Sequence, residues 1–361
     1  MSSYSSGSRL TYSEYLRLNE LLKLQSGEIG CKRDINNDET HFIIIHQIFE
    51  LWFKLVLSEL RCARNLLMQK HVDESDIPKI VGHLNRVTEI CRLMANQWKV
   101  METLTPQDFL VFRDKLGTAS GFESWQMREL EILMGLKNND RNKGMDPLKH
   151  YKRLSEENPI YLEGYEKLKE TMKELSLDEV LQKWLERTPI QGSFVNDEHD
   201  EELVEDFINK YLNSIRIQNE EALERISEHS SVDKKVLEER FESNIKSAEE
   251  YLRPNGITSR SRAGLLFIEA YRDLPLLAWP RKLIDSFVEL EEAMVLFRTY
   301  HARMVERIIG RRVGTGGSSG VDYLDETTKY RIFKDLWGVR TILIKKSALP
   351  TISNLELYGF K

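Results

Sequence analysis

Cysteine is scarce in this sequence of 361 residues, which has three, and Cys31, Cys62 and Cys91 form no C-x-x-C pair. Their odd number and wide spacing argue against a disulfide framework and a zinc ribbon. Proline is also scarce, at 9 residues, and the apolar-polar alternation of strands is rare. Long stretches instead repeat apolar residues every three or four positions, so we expect an all-α protein.

The sequence also lacks a long apolar run, a secretory signal core and an excess of basic charge. No uninterrupted apolar stretch approaches the roughly 20 residues of a membrane-spanning helix, and the serine-rich start, MSSYSSGSRL, has no apolar core. Lysine and arginine total 52 against 58 acidic residues, a net charge of −6, and no basic stripe is evident. We therefore expect a cytoplasmic protein with neither nucleic acid nor a membrane among its partners.

Several familiar metal and phosphate motifs are missing as well. No histidine has a glutamate three residues before it, which argues against a di-iron carboxylate bundle, and no H-E-x-x-H zinc motif occurs. The glycine-rich segment 314–320, which carries Thr315, follows a predicted helix and lacks the P-loop lysine. The remaining candidates for chemistry are histidines on apolar helices, one arginine and this glycine loop.

The most regular pattern is a helix predicted from Pro280 to Gly310. Its apolar positions advance by steps of four and three, which places them on one buried face. His301 is the one polar residue on that face. It is either a core histidine bonded to a backbone carbonyl or a ligand for iron in a flat apolar cofactor, and the pattern alone does not decide. The positions on this face are Leu283, Phe287, Leu290, Met294, Phe297, His301, Met304 and Ile308.

A second histidine, His46, lies on a helix predicted over residues 38–69 and capped by the segment that begins at Asn36. This helix is apolar almost all round, which predicts that it is buried on every side. Two histidines on two apolar helices make a shared site as plausible as two unrelated core residues. A flat iron cofactor fits between them, ligated by one histidine and faced by the other. The neighbours of His46 on its own face are Phe42, Phe49, Glu50 and Phe53.

Arg113 is the third candidate, on a short helix that begins at the cap Thr105-Pro106-Gln107-Asp108. Aromatic residues lie beside it, and a turn of small residues, 117–122, follows. One interpretation is a salt bridge to a helix end. The other is a clamp for a carboxylate, which the planar guanidinium binds through two parallel hydrogen bonds.

Composition divides the chain into segments. We predict a helix over residues 9–25 and a polar surface connection over 138–160. A stretch rich in glutamate and lysine, broken at Ser230-Ser231, predicts a solvated helical hairpin. The predicted segments are an N-terminal arm (1–35), a helical core (36–195 and 257–347), a hairpin insert (196–256) and a C-terminal tail (348–361).

Three motifs resemble those of the tryptophan 2,3-dioxygenase family. Residues 41–54, H-F-I-I-I-H-Q-I-F-E-L-W-F-K, resemble its H-Q-x-x-E-L-W-x-K signature. Residues 112–122, F-R-D-K-L-G-T-A-S-G-F, resemble its F-R-x-x-L-x-x-x-S-G-F segment. The R-x-x-H of 298–301, followed by G-T-G-G-S-S-G at 314–320, resembles its axial-histidine helix and substrate loop. The similarity extends from about residue 10 to residue 344.

The resemblance implies a large haem-binding helical bundle with a smaller helical insert, one haem b per subunit and a homotetramer. The implied reaction is cleavage of the indole C2–C3 bond of L-tryptophan by O₂. Its product is N-formyl-L-kynurenine, in the first step of tryptophan degradation by the kynurenine pathway. Phe297, Ile45 and Phe49 depart from the residues usual in the family at those positions. They motivate an alternative, a related haem monooxygenase or dioxygenase that acts on a substituted indole or a tryptophan analogue.

The resemblance also implies a role for each candidate residue. His301 is the axial ligand of the haem iron, and His46 is the catalytic histidine near the indole N–H. Arg113 and Thr315 hold the substrate carboxylate and ammonium groups. The other implied substrate-binding residues are Phe42, Phe109, Ser120 and Gly121 within the pocket, and Tyr12, Tyr15 and Leu16 from a neighbouring subunit.

Overall fold

A computed structural model describes residues 10–25, 35–116, 121–141, 145–229, 233–312, 314 and 320–359. Over these ranges the protein consists of fifteen α-helices, short 3-10 turns and connecting loops. The described residues contain no β-sheet, and their β-structure is limited to one isolated bridge. The prediction of an all-α protein is therefore confirmed. The helices, labelled α1 to α15 in chain order, are Tyr12–Leu16, Leu18–Leu21, Asn37–Leu67, Ile77–Met101, Pro106–Arg113, Trp125–Met134, Pro147–Glu157, Leu162–Thr171, Leu177–Glu186, Asp200–His229, Lys234–Leu252, Arg260–Ala270, Ala278–Ile309, Val321–Thr327 and Lys334–Thr341.

Three long helices, α3, α4 and α13, pack together at the centre of the molecule. Seven of the eight positions predicted to lie on the buried face of α13 are buried, and the eighth, His301, is half-buried. On α4, the fully buried Cys91 lies with its sulfur 3.4 Å from the sulfur of Met294 on α13. Each apolar side chain removed from water on this face stabilises the fold by roughly 1.5–3 kcal/mol.

Side-chain caps and a glycine set the ends of several helices, including the predicted cap at Asn36. The Asn36 side chain accepts a hydrogen bond of 2.7 Å from the backbone N–H of Glu39 at the start of α3. Ser176 and Glu179 form a reciprocal capping box at the start of α9. Gly310 ends α13 with a φ of 60°, a backbone conformation that glycine adopts readily. These contacts fix where the long core helices begin and end.

The expectation that α3 is buried on every side is wrong. Ile44, Leu51 and Leu55 are exposed by 40, 54 and 37 % respectively. The reason is that α4, α6 and the other described helices that pack on α3 cover its remaining faces. One apolar strip of α3 is therefore exposed on a single chain.

Two other stretches differ from their predictions. In place of the single helix predicted over 9–25, the described residues 10–25 contain two short helices, because Arg17 takes a left-handed conformation with φ 51° between α1 and α2. Residues 138–160 are more than a surface connection, since they contain α7. The Asp146 side chain caps the start of α7 by accepting hydrogen bonds from the backbone N–H groups of Leu148 and Lys149. The side chain of Tyr151 is fully buried and anchors α7 in the interior.

The predicted hairpin consists of α10 and α11, on either side of the segment 230–232. The first half of α10 packs on the core, where Phe207 is fully buried and its ring centroid lies 5.6 Å from that of Phe267 on α12. Near the C-terminus, the buried Tyr358 donates a hydrogen bond of 2.9 Å to the carbonyl oxygen of Pro189. The segment boundaries themselves remain predictions. None of the described helices is long and apolar enough to cross a membrane.

Candidate active site

One cavity brings together residues from α3, α4, α5, α6, α13 and α14. Its volume is about 250 Å³. A wider outer cleft of about 650 Å³ adjoins it and shares four of its lining residues, including His46 and Glu50. The candidate residues that line the cavity are Phe42, His46, Phe109, Arg113, Gly121 and His301.

The other candidate residues are five in number. Ser120 and Thr315 lie outside the described residues. Tyr12 and Tyr15 are each 75 % exposed and Leu16 is 41 % exposed, all three on the short helix α1. Within one chain, therefore, the N-terminal tyrosines do not contribute to the cavity.

The protonation of His46 follows from its hydrogen bond. Its Nδ1 lies 2.7 Å from the carbonyl oxygen of Phe42, one turn earlier on α3. A carbonyl oxygen only accepts, so Nδ1 carries the hydrogen and Nε2 has a free lone pair. Burial lowers the pKa of His46, and the hydrogen bond to Phe42 raises it by less. The ring is thus a neutral hydrogen-bond acceptor at the cavity wall.

His301 has a different environment. Its ring stacks on Trp98 of α4, with centroids 4.5 Å apart and planes 10° apart. Neither ring nitrogen has a hydrogen-bond partner among the described residues, which does not support a core histidine bonded to a carbonyl. Burial, with smaller effects from His46 and Arg128, lowers the pKa of His301 to about 3. The result is a neutral imidazole, oriented by stacking, with its nitrogens available to a ligand.

Aromatic rings connect the two histidines. The Phe49 centroid is 6.5 Å from that of His46 and 5.9 Å from that of Phe297, which in turn is 6.4 Å from His301. Two of the residues that depart from the family pattern, Phe49 and Phe297, are therefore buried parts of this wall, and Ile45 is buried nearby. A continuous aromatic wall with one unpaired neutral imidazole fits a flat apolar macrocycle whose metal takes nitrogen as an axial ligand.

Arg113 is the last residue of α5 and is half-buried. The helix brings it to the cavity because Thr105 caps the start of α5, accepting a hydrogen bond of 3.2 Å from the Asp108 N–H, and Phe112 is fully buried. On this side of the cavity, Arg113 is a polar lining residue and Leu116 is an apolar one. A fixed guanidinium beside an aromatic pocket is suited to a substrate that has a carboxylate and a flat apolar ring.

Sequence reasoning missed many residues of the cavity wall, and four of them bear on its chemistry. The stacking of Trp98 on His301 depends on how α4 and α13 pack, and no local pattern signals it. Arg128, Glu131 and Arg298 form ion pairs beside the cavity. The spacing R-x-x-H was the available signal for Arg298, because residues three apart share a helix face.

Comparison with known proteins agrees with this geometry. The sequence profile of the family described as tryptophan 2,3-dioxygenase matches residues 2–343. The chain is similar to tryptophan 2,3-dioxygenase 2 of Ralstonia nicotianae, at 40 % identity over 97 % of this chain and 98 % of that protein. It is 39 % identical to tryptophan 2,3-dioxygenase of Sorangium cellulosum, over 98 % of this chain and 88 % of that one. The enzyme of that name from Anopheles gambiae is 33 % identical, over 96 % and 88 %.

Proposed function

The chain belongs to the tryptophan 2,3-dioxygenase family, and on that premise we propose that its cavity binds haem and L-tryptophan side by side. The reaction is cleavage of the indole C2–C3 bond by O₂, both of whose atoms enter the product, N-formyl-L-kynurenine. The observation that carries the proposal is that His46 and His301 line one aromatic cavity. The alternative, an enzyme for a substituted indole or a tryptophan analogue, is not favoured, because these relatives are named for tryptophan.

The cofactor of the proposal is haem b, one per subunit, with His301 as axial ligand. The support is the neutral imidazole of His301, whose nitrogens have no partner among the described residues. Trp98, stacked on the ring, holds the imidazole in one orientation. When bound, ferrous haem supplies the activation of O₂, and the surrounding phenylalanines keep water away from the reacting atoms.

His46 orients the substrate in this proposal. Its Nδ1–H is engaged by Phe42, so its Nε2 accepts a hydrogen bond, which suits the indole N–H. Because burial lowers the pKa of His46, the ring is too weak a base to remove the indole proton fully. C3 is the most electron-rich carbon of the indole ring, so formation of a bond to oxygen there needs no strong base. His46 therefore contributes position more than proton transfer.

The amino-acid end of the substrate is assigned to Arg113 and Thr315. Arg113 binds the carboxylate, and Thr315, from the glycine-rich loop, binds the ammonium group together with a haem propionate. Phe42 and Phe109, whose ring centroids are 6.0 Å apart, enclose the indole. The proposed lining also includes Ser120 and Gly121.

We propose further that the protein is a homotetramer in which Tyr12, Tyr15 and Leu16 complete the site of a neighbour. Apolar residues that follow the N-terminal helix α2, such as Leu22 at 71 % and Leu24 at 62 %, are exposed on a single chain. The uncovered apolar strip of α3 adds to this surface. Contiguous exposed apolar surface of this kind is typical of an interface between subunits.

The proposed partners are L-tryptophan, O₂ and further copies of this chain, with neither nucleic acid nor a membrane. The cytoplasm is the proposed location. The free thiols of Cys62 and Cys91 are compatible with a reducing compartment.

The experiment that tests the proposed function is turnover of L-tryptophan with ¹⁸O₂ by the haem-reconstituted, reduced protein. We expect N-formyl-L-kynurenine with both oxygen labels, detected by mass spectrometry. Incorporation of a single label, or preferred turnover of 3-methylindole, would establish the alternative instead.

A further inference from the structure

A buried charged cluster forms the part of the cavity wall where α6, α13 and α14 meet. The Glu131 carboxylate accepts hydrogen bonds of 3.1 Å from Arg128 and 3.1 Å from Arg298, and another from Arg141. The three guanidinium groups and the carboxylate are each exposed by 10 % or less. Arg128, Glu131 and Arg298 all line the cavity.

The charges in this cluster do not balance. Glu131 is ionised, because its pKa lies below the ordinary value. Burial raises this pKa, but Arg128, Arg141 and Arg298 together lower it by more than burial raises it. No other carboxylate of the described residues forms an ion pair with any of the three arginines. Among the described residues, three cations thus share one anion in a place where unpaired charge is costly.

The cluster also has hydrogen-bond donors without acceptors. Arg128 Nε is buried and has no partner among the described residues, and the same holds for Nε and Nη2 of Arg141. Buried arginine donors are normally satisfied. Arg128 has a relative exposure of 9 %, so bulk water cannot readily act as the missing hydrogen-bond acceptor for its Nε. Excess positive charge and a buried donor without a partner among the described residues suit this part of the cavity wall to an anion of the carboxylate class.

The position of the cluster favours the cofactor over the substrate as the source of this anion. Arg298 lies three residues before His301, on the same face of α13, and both side chains line the cavity. Arg113, the residue assigned to the substrate carboxylate, is on α5, outside the cluster. We infer that Arg128, supported by Glu131 and Arg298, binds a carboxylate of the haem, one of its propionates. This inference rests on the proposed function.

The test compares two porphyrins on the haem-free protein: protohaem, and its dimethyl ester, which has the same ring and iron but no carboxylate charge. Affinities are measured by transfer to apomyoglobin. We expect the wild type to bind protohaem at least about 10-fold more tightly than the ester, the lower end of the range for one charge-assisted hydrogen bond. Arg128→Gln is expected to weaken protohaem binding about 10-fold and to leave ester binding unchanged. Arg128→Lys keeps the charge but loses the planar arrangement of N–H donors. Its affinity for protohaem is expected to lie between those of the wild type and Arg128→Gln.

The matched control is Arg303→Gln, which changes an exposed arginine of α13 that pairs with Asp325; it is expected to alter neither affinity. Equal binding of the two porphyrins by the wild type would overturn the inference and leave the proposed function standing. An equal loss of both porphyrins in Arg128→Gln would show a structural role and overturn it too. Binding of neither porphyrin by the wild type would overturn the proposed function together with the inference.

Discussion

At the scale of single residues, the two histidines differ in what occupies their ring nitrogens. One nitrogen of His46 is committed to the backbone of its own helix, whereas among the described residues His301 is held by ring contacts, chiefly its stacking on Trp98. Burial keeps both rings neutral. A stacked ring with free nitrogens suits ligation, and a ring with one fixed N–H suits orientation of a substrate. The assignment of the two faces of the cavity follows from this difference.

In the proposed function, Arg113 decides the substrate class, because an aromatic cavity alone accepts many indoles. We expect Arg113→Ala to raise the KM for L-tryptophan about 10- to 100-fold, the loss of one charge-assisted hydrogen bond worth roughly 1.5–3 kcal/mol. Haem content should stay unchanged. Steady-state kinetics with L-tryptophan and with an indole that lacks the carboxylate provide the measurement.

The exposed Arg92 of α4, which pairs with Glu89, gives the control for that experiment. Arg92→Ala is expected to keep the wild-type KM, and the carboxylate-free indole should be indifferent to both substitutions. A normal KM for L-tryptophan in Arg113→Ala would rule out the carboxylate clamp.

At the scale of helices, the fold depends on close packing as well as on buried faces. Gly264 of α12 lies against α9, and a methyl group on it would overlap the backbone carbonyl oxygen of Leu185. By contrast, a methyl group on Gly82 of α4 would meet no atom within 4 Å. Backbone atoms cannot yield as the end of a flexible side chain does, so the two glycines should respond to alanine in opposite ways.

We expect Gly264→Ala to destabilise the fold by about 1–3 kcal/mol through overpacking. Gly82→Ala should stabilise it by up to about 1 kcal/mol, since alanine is the better helix former. Urea unfolding followed by circular dichroism measures both. Equal changes in the free energy of unfolding for the two substitutions would mean that α9 and α12 are not in close contact at Gly264.

Helix positions were predictable from the sequence because their signals are local. The caps at Asn36 and Ser176 and the 4-3 spacing of α13 depend on residues within a few positions of one another. The stacking of Trp98 on His301 was not predictable, because it joins residues from α4 and α13 whose register is set by the whole core. The Glu131 cluster was missed for the same reason. The exposed strip of α3 was wrongly predicted because the apolar pattern does not show which faces of a helix other helices cover.

At the scale of the whole molecule, the single chain exposes the residues that the proposal assigns to a neighbour's site. Deleting residues 1–20 is therefore expected to weaken both assembly and turnover, because it removes Tyr12, Tyr15 and Leu16 together with α1. Light scattering coupled to size-exclusion chromatography measures the assembly. Deleting residues 1–9, which keeps all three side chains, should preserve both properties. An oligomeric and fully active protein that lacks residues 1–20 would contradict this assignment.

The central claim, that the cavity holds haem ligated by His301 and faced by His46, is tested most directly by haem content and absorption spectra of two alanine variants. We predict that His301→Ala purifies with little haem and recovers it with added imidazole. His46→Ala should keep its haem, with turnover of L-tryptophan reduced. Full haem occupancy with an unchanged spectrum in His301→Ala would contradict the claim. Loss of haem from His46→Ala alone would show that the two faces are reversed.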